Sequence, residues 1–132
     1  MAGLQGLEAE FAADGFHVLG FISDDFDQAG NDGQIDACTE QYGITFPQFS
    51  IDHVIEPDPQ PVFQWVLAQP DPGPATGGIA PTWNFHKYLV SKNGDLVAHF
   101  PREQWPGDNP DDPNDNFDTN PVVVAIKAEL AK

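Results

Sequence analysis

Residues 83–100, W-N-F-H-K-Y-L-V-S-K-N-G-D-L-V-A-H-F, leave this chain the least freedom. Apolar residues alternate through Phe85, Tyr88 and Val90, pause at Asn93-Gly94, and resume at Leu96, Val97 and Phe100. Alternation broken by Asn-Gly predicts a β-hairpin, with a type I′ turn that needs φ > 0 at both central positions. Trp83 and Asn84 are expected to open the first strand, directly after Gly77-Gly78 and Pro81. There the ring and the amide either line a pocket or simply pack over the end of the hairpin.

The remainder is expected to be one domain, residues 1–132, long enough to bury a core. Leu4, Leu7 and Phe11 recur at helical spacing, with Gly15 as the residue that ends the helix. H-V-L-G-F-I, residues 17–22, is a short apolar run suited to a strand covered on both faces. After a loop rich in Asp and Gly, Asp32 could cap a second helix with Ile35, Cys38 and Tyr42 on one face and Gly43 at its end. Residues 44–54 are extended, broken by Pro47. Residues 59–69 read as a third helix with Val62, Phe63, Val66 and Leu67 as its stripe. Residues 101–119 form a long acidic loop, and Asn120-Pro121 starts a last helix carrying Val122, Val123, Ile126 and Leu130. Helices alternating with a buried strand, then a hairpin and a closing helix, predict an α/β layered structure.

Charge narrows the partners. Twenty-one acids against five Lys and Arg leave a formal charge of −16. Such a field repels nucleic-acid backbones and anionic membrane surfaces. The opening M-A-G-L-Q-G-L has neither the basic nor the apolar region of a signal peptide. Cys38 is the single cysteine, so no internal disulfide or cysteine zinc site can form. His17, His53, His86 and His99 make no i, i+4 pair, and the acidic loop fails EF-hand spacing at Phe117 and Val123, so neither metal nor cofactor is expected.

Four segments in order resemble the glutathione peroxidase family. W-N-F-H-K-Y-L-V-S-K-N-G is similar to its W-N-F-x-K-F-L-V-x-x-x-G. H-V-L-G-F-I-S-D-D-F resembles V-L-G-F-P-C-N-Q-F, C-T-E-Q-Y-G-I-T-F-P resembles C-x-x-x-Y-G-V-T-F-P, and G-L-Q-G-L-E-A-E-F resembles the first family helix. The resemblance implies a thioredoxin-like three-layer α/β fold and reduction of hydroperoxides by a thiol or selenol. It implies that Trp83 and Asn84 are two hydrogen-bond donors of the site. It places Asp25 at the third donor position, where the family has Gln. An ionised carboxylate cannot donate a hydrogen bond, and nearby Gln28 could substitute for it. Cys38 falls where two-cysteine members carry a resolving cysteine; the plain alternative is a small buried residue on a helix face.

The family's C-G-x-T nucleophile loop and the first central strand have no counterpart here. Met1 is therefore expected to be an internal methionine of a longer protein, with residues 17–22 presenting a bare apolar edge and the 132-residue chain inactive or nearly so. The implied partners are a hydroperoxide and a thiol reductant. The charge favours a thioredoxin-like protein over anionic glutathione. The competing expectation is a non-catalytic thioredoxin-like binding module.

Overall fold

A computed structural model of the chain describes residues 1–27, 30 and 32–132. Helix α1 spans Ala2–Phe11 and tightens into a 3₁₀ turn, Ala12–Asp14, before Gly15 ends it at φ +94°. Strand β1 is Gly20–Phe21 and helix α2 is Asp32–Tyr42. Strand β2 is Gln48–Phe49 and helix α3 is Pro61–Leu67. Strands β3, Lys87–Val90, and β4, Leu96–Phe100, form the hairpin, and α4 is Pro121–Leu130.

The hairpin is the middle layer. Ala98 and Phe100 of β4 pack with Leu7 and Phe11 of α1 and with Val122, Val123 and Ile126 of α4. On the other side Tyr88 and Leu96 meet Val54 and α3 through Phe63 and Val66. A strand buried from both sides between helices gives the α/β layering of a thioredoxin-like fold. The turn itself differs from expectation. Gly94 alone takes a positive φ, +84°, while Gly94 N–H donates to Ser91 O and Ser91 N–H to Asp95 O. This is a three-residue loop closed by a left-handed glycine, which tolerates an ordinary φ at Asn93 where a type I′ turn does not.

Trp83 and Asn84 are not in a strand. They lie in a turn, and pairing begins at Lys87 opposite Phe100. The apolar run 17–22 also contributes less strand than expected. Only Gly20 and Phe21 pair, in parallel with Gln48 and Phe49, and Leu19 is 54 % exposed. The two sheets have, among the described residues, two strands each and share no pairing. Among the described residues neither β1 nor β3 carries a strand on its second edge. A run with one neighbour has few ladder bonds to make, so it stays strand-like for two residues. Tyr42 of α2 and Val62 of α3 are likewise exposed, at 40 % and 44 %; Ile35 and Cys38 are half-buried, whereas Phe63 and Val66 are buried.

Side chains pin the layers. Gln5 of α1 accepts from Thr45 N–H and donates to Thr45 Oγ1, both at 2.9 Å. Glu8 is buried, which its place between apolar residues did not suggest. Its carboxylate accepts from Val18 N–H at 2.7 Å and meets His17 Nδ1 at 3.0 Å. Asn120, 1 % exposed, caps α4 by accepting from Val122 and Val123 N–H. Its Nδ2 donates to Trp105 O and Gly107 O, so the same side chain ties down the acidic loop. The loop is also seated at Gly3, where an added Cβ would lie 2.5 Å from Pro106 O.

Asn120→Ala is expected to lose the cap and leave the buried Gly107 O without its donor, lowering stability by about 2–3 kcal/mol in denaturant unfolding. Asn120→Asp keeps the cap but not the two donations, and should fall between.

Candidate functional site

Two glycines with positive φ, Gly77 at +91° and Gly78 at +97°, lead into Pro81 and the turn that carries Trp83 and Asn84. Phe85 completes the turn at φ +58°, a conformation that a bulky residue holds only when its surroundings impose it. Lys87 Nζ donates to Phe85 O at 2.7 Å and helps impose it. Trp83 packs on Phe26 with ring centroids 5.5 Å apart. That contact sets the corner against the loop that follows β1. Between them is a pocket of about 80 Å³ whose walls include Phe21, Ser23, Phe26, Trp83, Asn84 and His86.

Asp25 sits on this same loop, but its carboxylate is engaged elsewhere. It accepts from Val54 N–H at 2.7 Å and Ile55 N–H at 3.3 Å, and meets His53 Nδ1 at 2.7 Å. The side chain is 8 % exposed. Burial alone would raise its pKa, but the hydrogen bonds from Val54, His53 and Ser23 outweigh it and bring the value down to about 2. The hydrogen bond to Asp25 raises the pKa of His53 above its ordinary value. Asp25 therefore fastens the loop to residues 53–55 as an ionised acceptor. Gln28, the substitute donor expected from the sequence, lies outside the described residues.

Cys38 is a free, half-buried thiol on α2. It does not line the small pocket. It lines a much larger cleft of about 940 Å³, which Asn84 and His86 also reach. One wall of the cleft is residues 15–23 and the other is residues 84–92, so it lies between β1 and β3. Leu4, Leu7, Phe100 and Ile126 contribute to its lining.

A line of polar side chains beside the corner was not anticipated. His99 is fully buried, with Nε2 2.8 Å from Asp71 Oδ1 and Nδ1 2.9 Å from His86 Nε2. Burial, then the neighbouring His99 and Lys87, lowers the pKa of His86 to about 4. Lys87 is also lowered by burial, to about 8, and burial raises Tyr88. A search for helical i, i+4 spacing passes over these histidines. The pairing that brings them together is cross-strand: Tyr88 stands opposite His99, and His86 is two residues from Tyr88. Their nitrogens are spent on one another, on Asp71 and on Thr82. Among the described residues no group of His, Cys, Asp or Glu could hold a metal ion, and no helix is long and apolar enough to cross a membrane.

Comparison with known proteins adds relatives to this geometry. The chain is 39 % identical over 105 residues to a hydroperoxy fatty acid reductase of Synechocystis, covering 74 % of this chain and 62 % of that protein. It is 34 % identical over 99 residues to a phospholipid hydroperoxide glutathione peroxidase of Sus scrofa, covering 74 % of this chain and 50 % of the other. A thioredoxin/glutathione peroxidase of Escherichia coli is 30 % identical over 150 residues, covering 98 % of this chain and 75 % of its own length. No family model matches the chain.

The Asp25–His53 pair yields a pH prediction. The depressed Asp25 contributes stability above its unfolded pKa of 3.8, lost as pH falls through about 2. The raised His53 contributes stability below its unfolded pKa of 6.5, lost as pH rises through the folded value. Proton NMR should therefore show His53 titrating above 6.5, and Asp25→Asn should lower it. Asp25→Ala leaves the Val54 N–H without its acceptor and should lower stability by about 1–3 kcal/mol.

Proposed function

The chain belongs to the glutathione peroxidase family, and from that premise we propose that it serves the reduction of hydroperoxides at the expense of thiols. The Trp83–Asn84 corner, held by Phe26 against the loop after β1, is the observation that carries this reading. In the reaction a thiolate attacks one oxygen of the peroxide and the O–O bond breaks. The departing alkoxide takes a proton, and the sulfur is left as sulfenic acid. Two reductant thiols then restore the thiol and leave as a disulfide with one water. The Trp83 indole N–H and the Asn84 amide are donors suited to the negative sulfur and the departing oxygen.

The attacking thiol is proposed to come from outside these 132 residues. Cys38 does not line the pocket with Trp83, which suits a resolving residue better than a nucleophile. The chain spans 62 % and 50 % of the first two relatives' lengths. The cleft of about 940 Å³ between β1 and β3 has the place and edges for one further strand, and a strand there would end beside Asn84. A thioredoxin-like protein is the favoured reductant, since a formal charge of −16 repels glutathione. The second reading, a binding module without chemistry, draws on Asp25. An ionised carboxylate turned to residues 53–55 supplies no donor to a thiolate.

The test compares this chain with the same chain preceded by a strand and a C-G-x-T loop. The short form should reduce hydrogen peroxide no faster than an ordinary thiol. The long form should turn over with thioredoxin, and Asn84→Ala should slow it roughly 10²-fold. No turnover by the long form would favour the binding module. Turnover by the short form, abolished by Cys38→Ser, would make Cys38 the nucleophile.

A further inference from the structure

Asp71, His99 and His86 form a hydrogen-bonded line that ends at the Trp83–Asn84 corner, and its two ends order its protons. An ionised carboxylate only accepts, so His99 Nε2 carries a hydrogen and donates to Asp71 Oδ1. At the other end the Thr82 amide only donates, and it faces His86 Nδ1 at 3.4 Å. His86 Nδ1 is therefore an acceptor, taking also the Thr82 hydroxyl at 3.5 Å. The link between the rings follows: His86 Nε2–H donates to His99 Nδ1 at 2.9 Å. In this order both imidazoles are neutral and every ring nitrogen has a partner.

The line is rigid at its middle and strained at its end. His99 is fully buried, its backbone N–H donates to Gly73 O, and its O accepts from Ala75 N–H. Tyr88 stacks on its ring at 5.8 Å and 9°. The Thr82–His86 link brackets Trp83, Asn84 and Phe85, the last held at φ +58°. A turn forced into the left-handed region persists only if its flanks are fixed.

We propose that Asp71, His99 and His86 are positioning residues for the Trp83–Asn84 corner, transmitting the fixed place of β4 to the turn that carries both donors. The corner's catalytic meaning rests on the proposed function; the mechanical link does not. A structural role confined to fastening residues 71–75 onto β4 is the competing account, and it makes a different forecast.

The experiment is nitrogen-15 NMR of the 132-residue chain at neutral pH, with no turnover measured. Long-range proton–nitrogen correlations on the wild-type protein should show His86 and His99 neutral, each with its proton on Nε2. Asp71→Ala should shift the Trp83 indole and the Asn84 side-chain amide, to which the side-chain hydrogen bonds link position 71 through both histidines. Asp71→Asn, whose side-chain oxygen still accepts from His99 Nε2–H, should leave both near their wild-type positions. Shifts confined to residues 71–75 and 99 in Asp71→Ala would overturn the proposal. So would a proton on Nδ1 of His86, a result that needs no variant to fold. Failure of peroxide turnover in the longer chain would leave these outcomes untouched.

Discussion

Strand β4 is packed from both sides, and the rest of the molecule is arranged by that fact. Ala98 and Phe100 close one core with α1 and α4, while Leu96 belongs to the other core with α3. Its outer edge is covered by residues 73–75, through backbone bonds to His99. Buried polar backbone must find partners, and here β3 on one side and the 73–75 segment on the other supply them. The imidazole of His99 faces the same demand and meets it with Asp71 and His86. The candidate site is thus built outward from a strand that cannot shift without exposing two cores.

Nothing comparable holds β1. It makes a two-residue parallel pairing with β2, and its other side opens on the cleft. Glu8 compensates at one end by accepting the Val18 N–H, and Ile22 O accepts from Asp52 N–H at the other. An apolar run held only at its ends and along one edge explains the exposure of Leu19. The contrast between a strand fastened on every side and one fastened on a single side is what gives the cleft two dissimilar walls. The small pocket takes one wall from Trp83 and Asn84 and the other from the loop after β1, which Asp25 ties to residues 53–55.

What the sequence disclosed followed from how local each determinant is. Helix ends were legible because a glycine at φ +94° or +59° after α1 and α2 is a one-residue requirement, and Asn120-Pro121 announced α4 for the same reason. The hairpin was placed by its turn, although Asn93 keeps an ordinary φ and pairing starts only at Lys87. The proximity of the Trp83 corner to the loop after β1 came through four ordered resemblances, and the Phe26 contact agrees with it. The rest depends on tertiary placement. Strand length in residues 17–22 depends on a neighbour that periodicity does not report. Asp25 looked like a poor donor at the site, yet the side chain's actual commitment to His53 and Val54 is set 28 and 29 residues away. The histidine line needs the hairpin register before His86 and His99 can be seen as neighbours.

A chain with twenty-one acids and five Lys and Arg cannot find a cation for each carboxylate, and several take backbone N–H groups and histidines instead. Glu8 takes a backbone N–H and His17; Asp25 takes two backbone N–H groups and His53; Asp71 takes Gly73 N–H and His99. Each carboxylate fastens a loop or a run to a distant element, with a histidine as its side-chain partner. Backbone donors carry no counter-charge to be screened, so these ties resist salt better than surface pairs such as Lys127–Asp118. At His53 the tie also depends on pH, because the hydrogen bond to Asp25 raises the histidine's pKa and is weakened as pH rises through it. The His86–His99 pair adjoining the Trp83–Asn84 corner differs, because burial lowers the pKa of His86 to about 4 and its tie is a hydrogen bond between rings rather than an ion pair.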